Sequence, residues 1–287
     1  MKKYIVFGVN SNIDYLYYLP IALWSWKRIG WEPIVIFDQY RGDALSTLVS
    51  NTVESIGIKA NAAFISDDFK LSPYRSDTLS QVSRLYASAL PGFAIEDMLM
   101  LGDVDLIALS DAWHPEEKDI SIYNHDLTDF TEYPMCYVSM TIGKWRTVMN
   151  IEEGDFNMFI KRDLDNCPNA QSLDFYKRWG VDQQILTDRV SKENRFEKRF
   201  YYNGKRPNGY AMGRIDRGSW NIDVDNPKDC HMHRDIFKAF QNPNHESYDT
   251  FSKKWSDTMR MLEKCFPGEN FDWFLLYTKE YAKLAQA

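Results

Sequence analysis

Met98-Leu99-Met100-Leu101-Gly102 is an unbroken apolar run that stops at Asp103-Val104-Asp105. A strand with no polar position has no solvent face, so this one predicts burial on both sides within a parallel sheet. The segments before it alternate in the way such a sheet needs. Lys3 to Val9 reads as a strand, Ile13 to Ile29 as helix restarted at Pro20 and stopped by Gly30, and Pro33 to Phe37 as a second strand. Asp43 to Ile56 reads as a helix ending at Gly57, and Ala60 to Ile65 as a third strand. Thr78-Leu79-Ser80-Gln81 fits a capping box, and Leu79, Val82, Leu85, Tyr86 and Ala89 then form an apolar stripe that ends at Pro91-Gly92. Alternating strands and helices predict an α/β fold, a Rossmann-type doubly wound mixed sheet with helices on both faces.

Beyond residue 110 the periodicity loosens. Ile120–Tyr123 and Met135–Met140 read as strands; Trp145–Ile151, Leu173–Trp179 and Val181–Val190 read as helical pieces. Tyr201 to Asn226, rich in Gly, Asn and aromatic residues, reads as a structured loop region. Two terminal helices flank Pro267-Gly268. Their apolar positions, among them Trp255, Leu262 and Phe274, are expected to serve packing.

Charge and composition narrow the function classes. The net charge of −7 repels phosphate backbones at long range, which argues against non-specific nucleic-acid binding and leaves room for a local cationic pocket. No run reaches the ~18 apolar residues of a membrane span, and the short apolar stretch after Met1-Lys2-Lys3 reads as a strand rather than a signal peptide. Cys136, Cys167, Cys230 and Cys265 are scattered without a CxxC pair, so reduced thiols and a cytoplasmic location are expected.

In open α/β sheets ligands bind outside the carboxyl ends of the strands. Three Asp-x-Asp triplets occur, at Asp103–Asp105, Asp163–Asp165 and Asp223–Asp225, and only the first ends a buried strand. Two carboxylates that close repel each other. A divalent cation relieves the repulsion, and carboxylate oxygens suit Mg²⁺ or Mn²⁺.

Ser83-Arg84-Leu85-Tyr86-Ala87-Ser88-Ala89-Leu90-Pro91, a short spacer, and the run from Met98 to Asp105 together resemble the core of GT-A fold glycosyltransferases, in particular the glycogenin and lipooligosaccharide galactosyltransferase group. The resemblance implies a nucleotide-sugar donor, with Mn²⁺ bridging its diphosphate to Asp103 and Asp105 around Val104. It sets Arg84 beside the diphosphate, for which a guanidinium is a good match. Arg84 falls off the apolar stripe, near Gln81 and Ser88 on a polar face. Gly180-Val181-Asp182-Gln183-Gln184 resembles the group's Asp-Gln element, which implies Asp182 and Gln183 beneath the donor sugar and a reaction that retains anomeric configuration. The group's late His ligand corresponds to His231 or His233 in Cys230-His231-Met232-His233; the spacing leaves both open. The Gly and the Lys-Pro-Trp sequence that usually follow that His are absent here.

The end of the first strand, Gly8-Val9-Asn10, is the expected contact for the base, uracil in a UDP-sugar, with Tyr15 able to stack on it. Tyr201-Tyr202-Asn203-Gly204 and Arg214 to Trp220 carry groups suited to a saccharide or glycan acceptor. The expected organisation is a nucleotide-sugar-binding half over residues 1–110, an acceptor-binding half over 111–240 and a helical extension over 241–287. Oligomeric state is not legible. Two competing readings are a haloacid dehalogenase-type phosphatase using Asp103 and Asp105, and a non-catalytic sugar-binding protein. The phosphatase normally carries Thr or Val four positions after its first Asp, where this chain has Ile107.

Overall fold

The computed structural model describes residues 1–38, 42–65, 73–111, 113, 119–125, 132–152, 155–202, 210–211, 213–224 and 226–286. Strands β1 (Lys3–Val9), β2 (Glu32–Phe37), β3 (Asn61–Phe64) and β4 (Met98–Gly102) run parallel, with β1 between β2 and β4. The sheet continues through β7 (Val138–Thr141), antiparallel to β4, then β6 (Asp119–Ile122), β8 (Glu197–Tyr202) and β9 (Tyr210–Ala211). This is the expected mixed sheet, and its crossovers carry the helices.

Strand alternation splits the apolar runs between two cores. Ile5, Phe7, Val9, Met98 and Met100 face one layer, while Tyr4, Val6, Leu99 and Leu101 face the other. The first face is covered by α1 (Ile13–Leu16), α2 (Leu19–Arg28) and α3 (Ala44–Ser55), with α9 (Tyr248–Cys265) and α10 (Asp272–Leu284). The second is covered by α4 (Ser76–Ser83), the 3-10 helix Arg84–Ala89, α5 (Ile142–Val148), α6 (Phe156–Asp165) and α8 (Val181–Lys192). With both faces buried, β4 has to be apolar throughout, and it is.

Pro20 sits in the first turn of α2, where its missing N–H removes a donor with no intrahelical partner anyway. Gly30, at φ +85°, turns the chain out of that helix. The terminal helices pack on the β1 face rather than standing apart. Met261, Leu262, Phe274 and Tyr281 are fully buried, and the Tyr277 and Tyr281 hydroxyls donate to the carbonyls of Tyr17 and Ile13 at 2.9 and 2.7 Å.

Two expectations need correction. The capping box at Thr78 does not form, because α4 begins two residues earlier; Asp77 there accepts from the Thr78 amide at 2.8 Å and pairs with Arg178. The stretch read as loop from Tyr201 contains β10 (Arg214–Asp216). It joins β11 (Asp229–His231) and β5 (Leu106–Ala108) in a small second sheet ordered β10-β11-β5. Strands of three residues carry too little periodicity to read.

Candidate functional site

The small sheet builds one wall of the site. Its register sets Asp216 opposite His231 and His231 opposite Leu106, and the Met232 amide donates to the Asp105 carbonyl at 2.9 Å. His231 therefore lies beside the acidic turn that ends β4. Its Nδ1 is 3.1 Å from Asp216 Oδ2 and its Nε2 is 3.4 Å from Asp105 Oδ2. With Nδ1–H assigned as donor to Asp216, Nε2 turns a lone pair toward a carboxylate. Arg217 brings a guanidinium to the same Asp105 oxygen.

The opposite wall comes from the start of the sheet. A Cβ on Gly8 would lie 1.8 Å from the Ser80 carbonyl oxygen and 3.1 Å from Arg84 Cγ, so only glycine lets α4 lie this close to β1. The approach carries Arg84 over the strand ends. Arg84, off the apolar stripe, is nonetheless buried, and so is Ser88. Its Nη1 donates to the Gly102 carbonyl at 2.8 Å and to Asp103, and its Nη2 donates to Asp182 Oδ2 at 2.9 Å. Burial works against its charge, but Asp103 and Asp182 outweigh that and raise its pKa. Asp182 opens α8 with Gly180 as its N-cap, so α8 delivers this carboxylate to the guanidinium. Burial pushes the Asp182 carboxyl up to about 6 in spite of Arg84, and Asp103 adds to the rise.

Between these walls lies a cavity of about 550 Å³. Gly8, Asn10, Tyr15, Arg84, Asp103, Val104, Asp105, Asp182, Gln183 and His231 line it, so most of the residues singled out in the sequence converge. Val9 and His233 do not. Val9 alternates away into the core. His233 lies past the end of β11, stacks on Trp220 at 4.1 Å and has its pKa lowered to about 4, first by burial and then by Lys254. Of the two histidines, His231 is the one whose ring faces Asp105. A smaller concavity of about 310 Å³ at Asn150, Met158, Phe159 and Arg162 gathers no such set.

Arg217, from the stretch expected to meet the acceptor, reaches the strand-end acid: its Nη1 is 2.8 Å from Asp105 Oδ2. Burial disfavours the Asp105 anion, yet His231 and Arg217 outweigh it and hold the carboxyl below its usual range. Arg234 donates to the Tyr15 hydroxyl at 2.8 Å and lies over its ring at 5.5 Å. Phe175, Tyr176 and Trp179, on α7 (Phe175–Trp179), were not anticipated; they also line the cavity, as do Asn12, Asp14, Asp77, Ser80, Gln81 and Met135. Arg217 follows a strand of three residues and α7 has five, both too short to announce which face they show.

The acceptor stretches contribute less than expected. Of Arg214 to Trp220 only Arg217 lines the cavity; Arg214 is buried against Asp229, with Nε 3.0 Å from Oδ1. Tyr201 stacks on Tyr123 at 4.5 Å. The side chain of Tyr202, Asn203 and Gly204 lie outside the described residues, as does Asp225 of the third triplet. The second triplet is structural: Asp163 pairs with Arg162 and Arg189, each at 2.8 Å, inside the packing of α6 on α8.

For a divalent cation the donor chemistry fits. A carboxylate oxygen and an imidazole nitrogen face each other at 3.4 Å, and the imidazole is backed by a second carboxylate, the usual support of a metal-bound histidine. Asp103 is turned to Arg84 instead, and among the described residues no three ligating side chains already converge.

The sheet order, the acidic turn after its central strand and the second small sheet define a GT-A type fold. No family model and no curated protein sequence matches the chain. Solved structures do. The galactosyltransferase LgtC, solved with donor and acceptor sugar analogues, superposes with a TM-score of 0.52 and 12% identity, over 94% of this chain and 98% of LgtC. The apo form of the glycosyltransferase GlyE from Streptococcus pneumoniae TIGR4 gives 0.51 and 10%, over 99% of this chain. This chain spans 64% of that GlyE chain's length. Among the described residues no helix is long and apolar enough to cross a membrane.

Proposed function

We propose that the chain is a glycosyltransferase that moves a sugar from a nucleotide-diphosphate donor, a UDP-sugar, to a saccharide or glycan acceptor, with Mn²⁺ or Mg²⁺. The observation that carries this reading is Arg84, a buried guanidinium held between the strand-end Asp103 and the helix-start Asp182 at the floor of the cavity. Such an arrangement fixes a guanidinium beside the place where a departing diphosphate would accumulate negative charge. Asp105 and His231 would hold the metal ion, with Asp103 beside them, and the bound ion would supply Lewis-acid neutralisation of the diphosphate.

The chain's own residues do the rest. Arg84 cannot turn away, because the Gly102 carbonyl and two carboxylates fix it. Asp182 acts through Arg84 and is a positioning residue. Gln183, next on the helix, lines the cavity and is the side chain assigned to the donor sugar. A carboxylate tied to Arg84 is poorly disposed to take a proton from an acceptor hydroxyl, which favours retention over inversion. The phosphatase reading is disfavoured because Ile107 is fully buried in β5 and offers no group to a phosphate.

The test is release of nucleoside diphosphate from a panel of UDP-sugars with Mn²⁺, in wild type and in Asp103→Ala. Turnover in wild type with loss in the variant is expected. Undiminished turnover in the variant overturns the assignment. Binding of sugar without donor consumption would instead identify a sugar-binding protein.

A further inference from the structure

The cavity has two chemically different walls. One is charged, with Arg84, Asp103 and Asp105 at the strand ends; the other is aromatic, made by Phe175, Tyr176 and Trp179 on α7. These rings are 47%, 88% and 39% exposed, an apolar surface that folding leaves uncovered. It is not a loosely attached one. Asp174 caps the helix by accepting from the Tyr176 amide at 2.9 Å. Arg178, itself buried, pins the helix from behind to Asp77 at 3.2 Å and to the Ser172 carbonyl at 2.9 Å. Phe175 packs on Trp179 at 5.2 Å and on Tyr176 at 5.6 Å. The result is a rigid aromatic shelf at the cavity's edge, one residue short of the Gly180 cap that begins the Asp182-Gln183 turn.

We infer that this shelf is the acceptor subsite, and that Tyr176 and Trp179 stack against the C–H face of a neutral saccharide ring. The inference rests on the glycosyltransferase reading and names where its second substrate sits. A diphosphate has no apolar face to offer such rings, whereas a pyranose presents axial C–H groups on one side and hydroxyls around its rim. The charged wall suits the donor's diphosphate. What lies beside it, flanked by Gln183, is an aromatic surface with the Asp77 carboxylate next to it, apolar faces and a hydrogen-bonding group that suit a sugar ring and its hydroxyls. Nothing in this assignment falls on Tyr201–Gly204 or on Trp220, the stretches whose composition first pointed to an acceptor.

Saturation-transfer NMR on the whole protein tests it, with lactose, maltose and cellobiose as probes in the presence of UDP, and calorimetry for UDP itself. Wild type is expected to transfer saturation to ring C–H protons of at least one disaccharide. Tyr176→Ala and Trp179→Ala should each weaken that sugar about tenfold, the scale of one lost aromatic contact, and leave UDP affinity within about twofold. Trp179→Phe should keep most of the binding, which separates stacking from a folding defect. Equal sugar binding in the alanine variants, loss of UDP in parallel with the sugar, or no disaccharide signal from a wild type that binds UDP would each overturn the shelf. Sugar binding in a protein that ignores UDP would support the shelf and overturn the donor assignment instead.

Discussion

Replacing Arg84 by methionine tests whether the buried guanidinium neutralises Asp182. The variant keeps a side chain of similar length and removes one charge from a set of three. The Asp182 side chain is 4% exposed and the Asp103 side chain 36%. Breaking a buried pair by deleting one partner costs about 3–5 kcal/mol, because the remaining charge is stranded. The Asp103 half, open to water, contributes at most about 1 kcal/mol. Most of the loss therefore belongs to Asp182 and must follow its titration. That carboxyl is already raised from 3.8 to about 6 with Arg84 in place, and removing the cation raises it further. A folded-state pKa above the unfolded one means that the penalty is absent below the unfolded value and complete above the folded one, so variant and wild type diverge only as pH rises above about 6. Urea unfolding of Arg84→Met should show a loss larger by about 2–3 kcal/mol at about pH 8 than at about pH 5. Adding Asp182→Asn should return most of the stability at the higher pH. Equal losses at both pH values, or a loss under about 1 kcal/mol at the higher, would refute the stranded-charge argument.

Other outcomes follow from the same geometry. Asp216→Asn should weaken Mn²⁺ binding about 10–100-fold by electron paramagnetic resonance titration, since Asp216 orients His231; unchanged affinity would remove His231 from the metal site. Gly8→Ala places a methyl against the Ser80 carbonyl and should lower stability by at least about 1–3 kcal/mol, read as a fall in Tm; an unchanged Tm would contradict the close packing of α4 on β1. Donor turnover should fall as pH drops below about 6, where Asp182 takes up a proton and loosens its hold on Arg84. That acid limb should vanish in Asp182→Asn, and its persistence there would assign it to another group.

What the sequence made legible was set by length and contrast. β4 could be read because five apolar residues meet two acidic ones without transition, and the same boundary marked the cavity. Arg84, Asp182 and His231 were readable as candidates through motif spacing, but their mutual contacts span 98 residues between Arg84 and Asp182 and no local pattern encodes them. The small sheet that aligns Asp216, His231 and Asp105 was invisible, since three-residue strands lack period. Composition pointed to Trp220 and Tyr201 as acceptor contacts; in the fold each ring stacks internally, on His233 and on Tyr123, while Tyr176 on a five-residue helix is 88% exposed.

On the proposed reading the Asp105–His231 edge and Arg84 together grip a diphosphate through a divalent cation. Anomalous diffraction from crystals grown with UDP and Mn²⁺ locates that ion. A manganese peak is expected between Asp105 and His231, with the diphosphate against Arg84. A nucleotide bound away from that edge, or a diphosphate seated there with no manganese beside it, would contradict the claim.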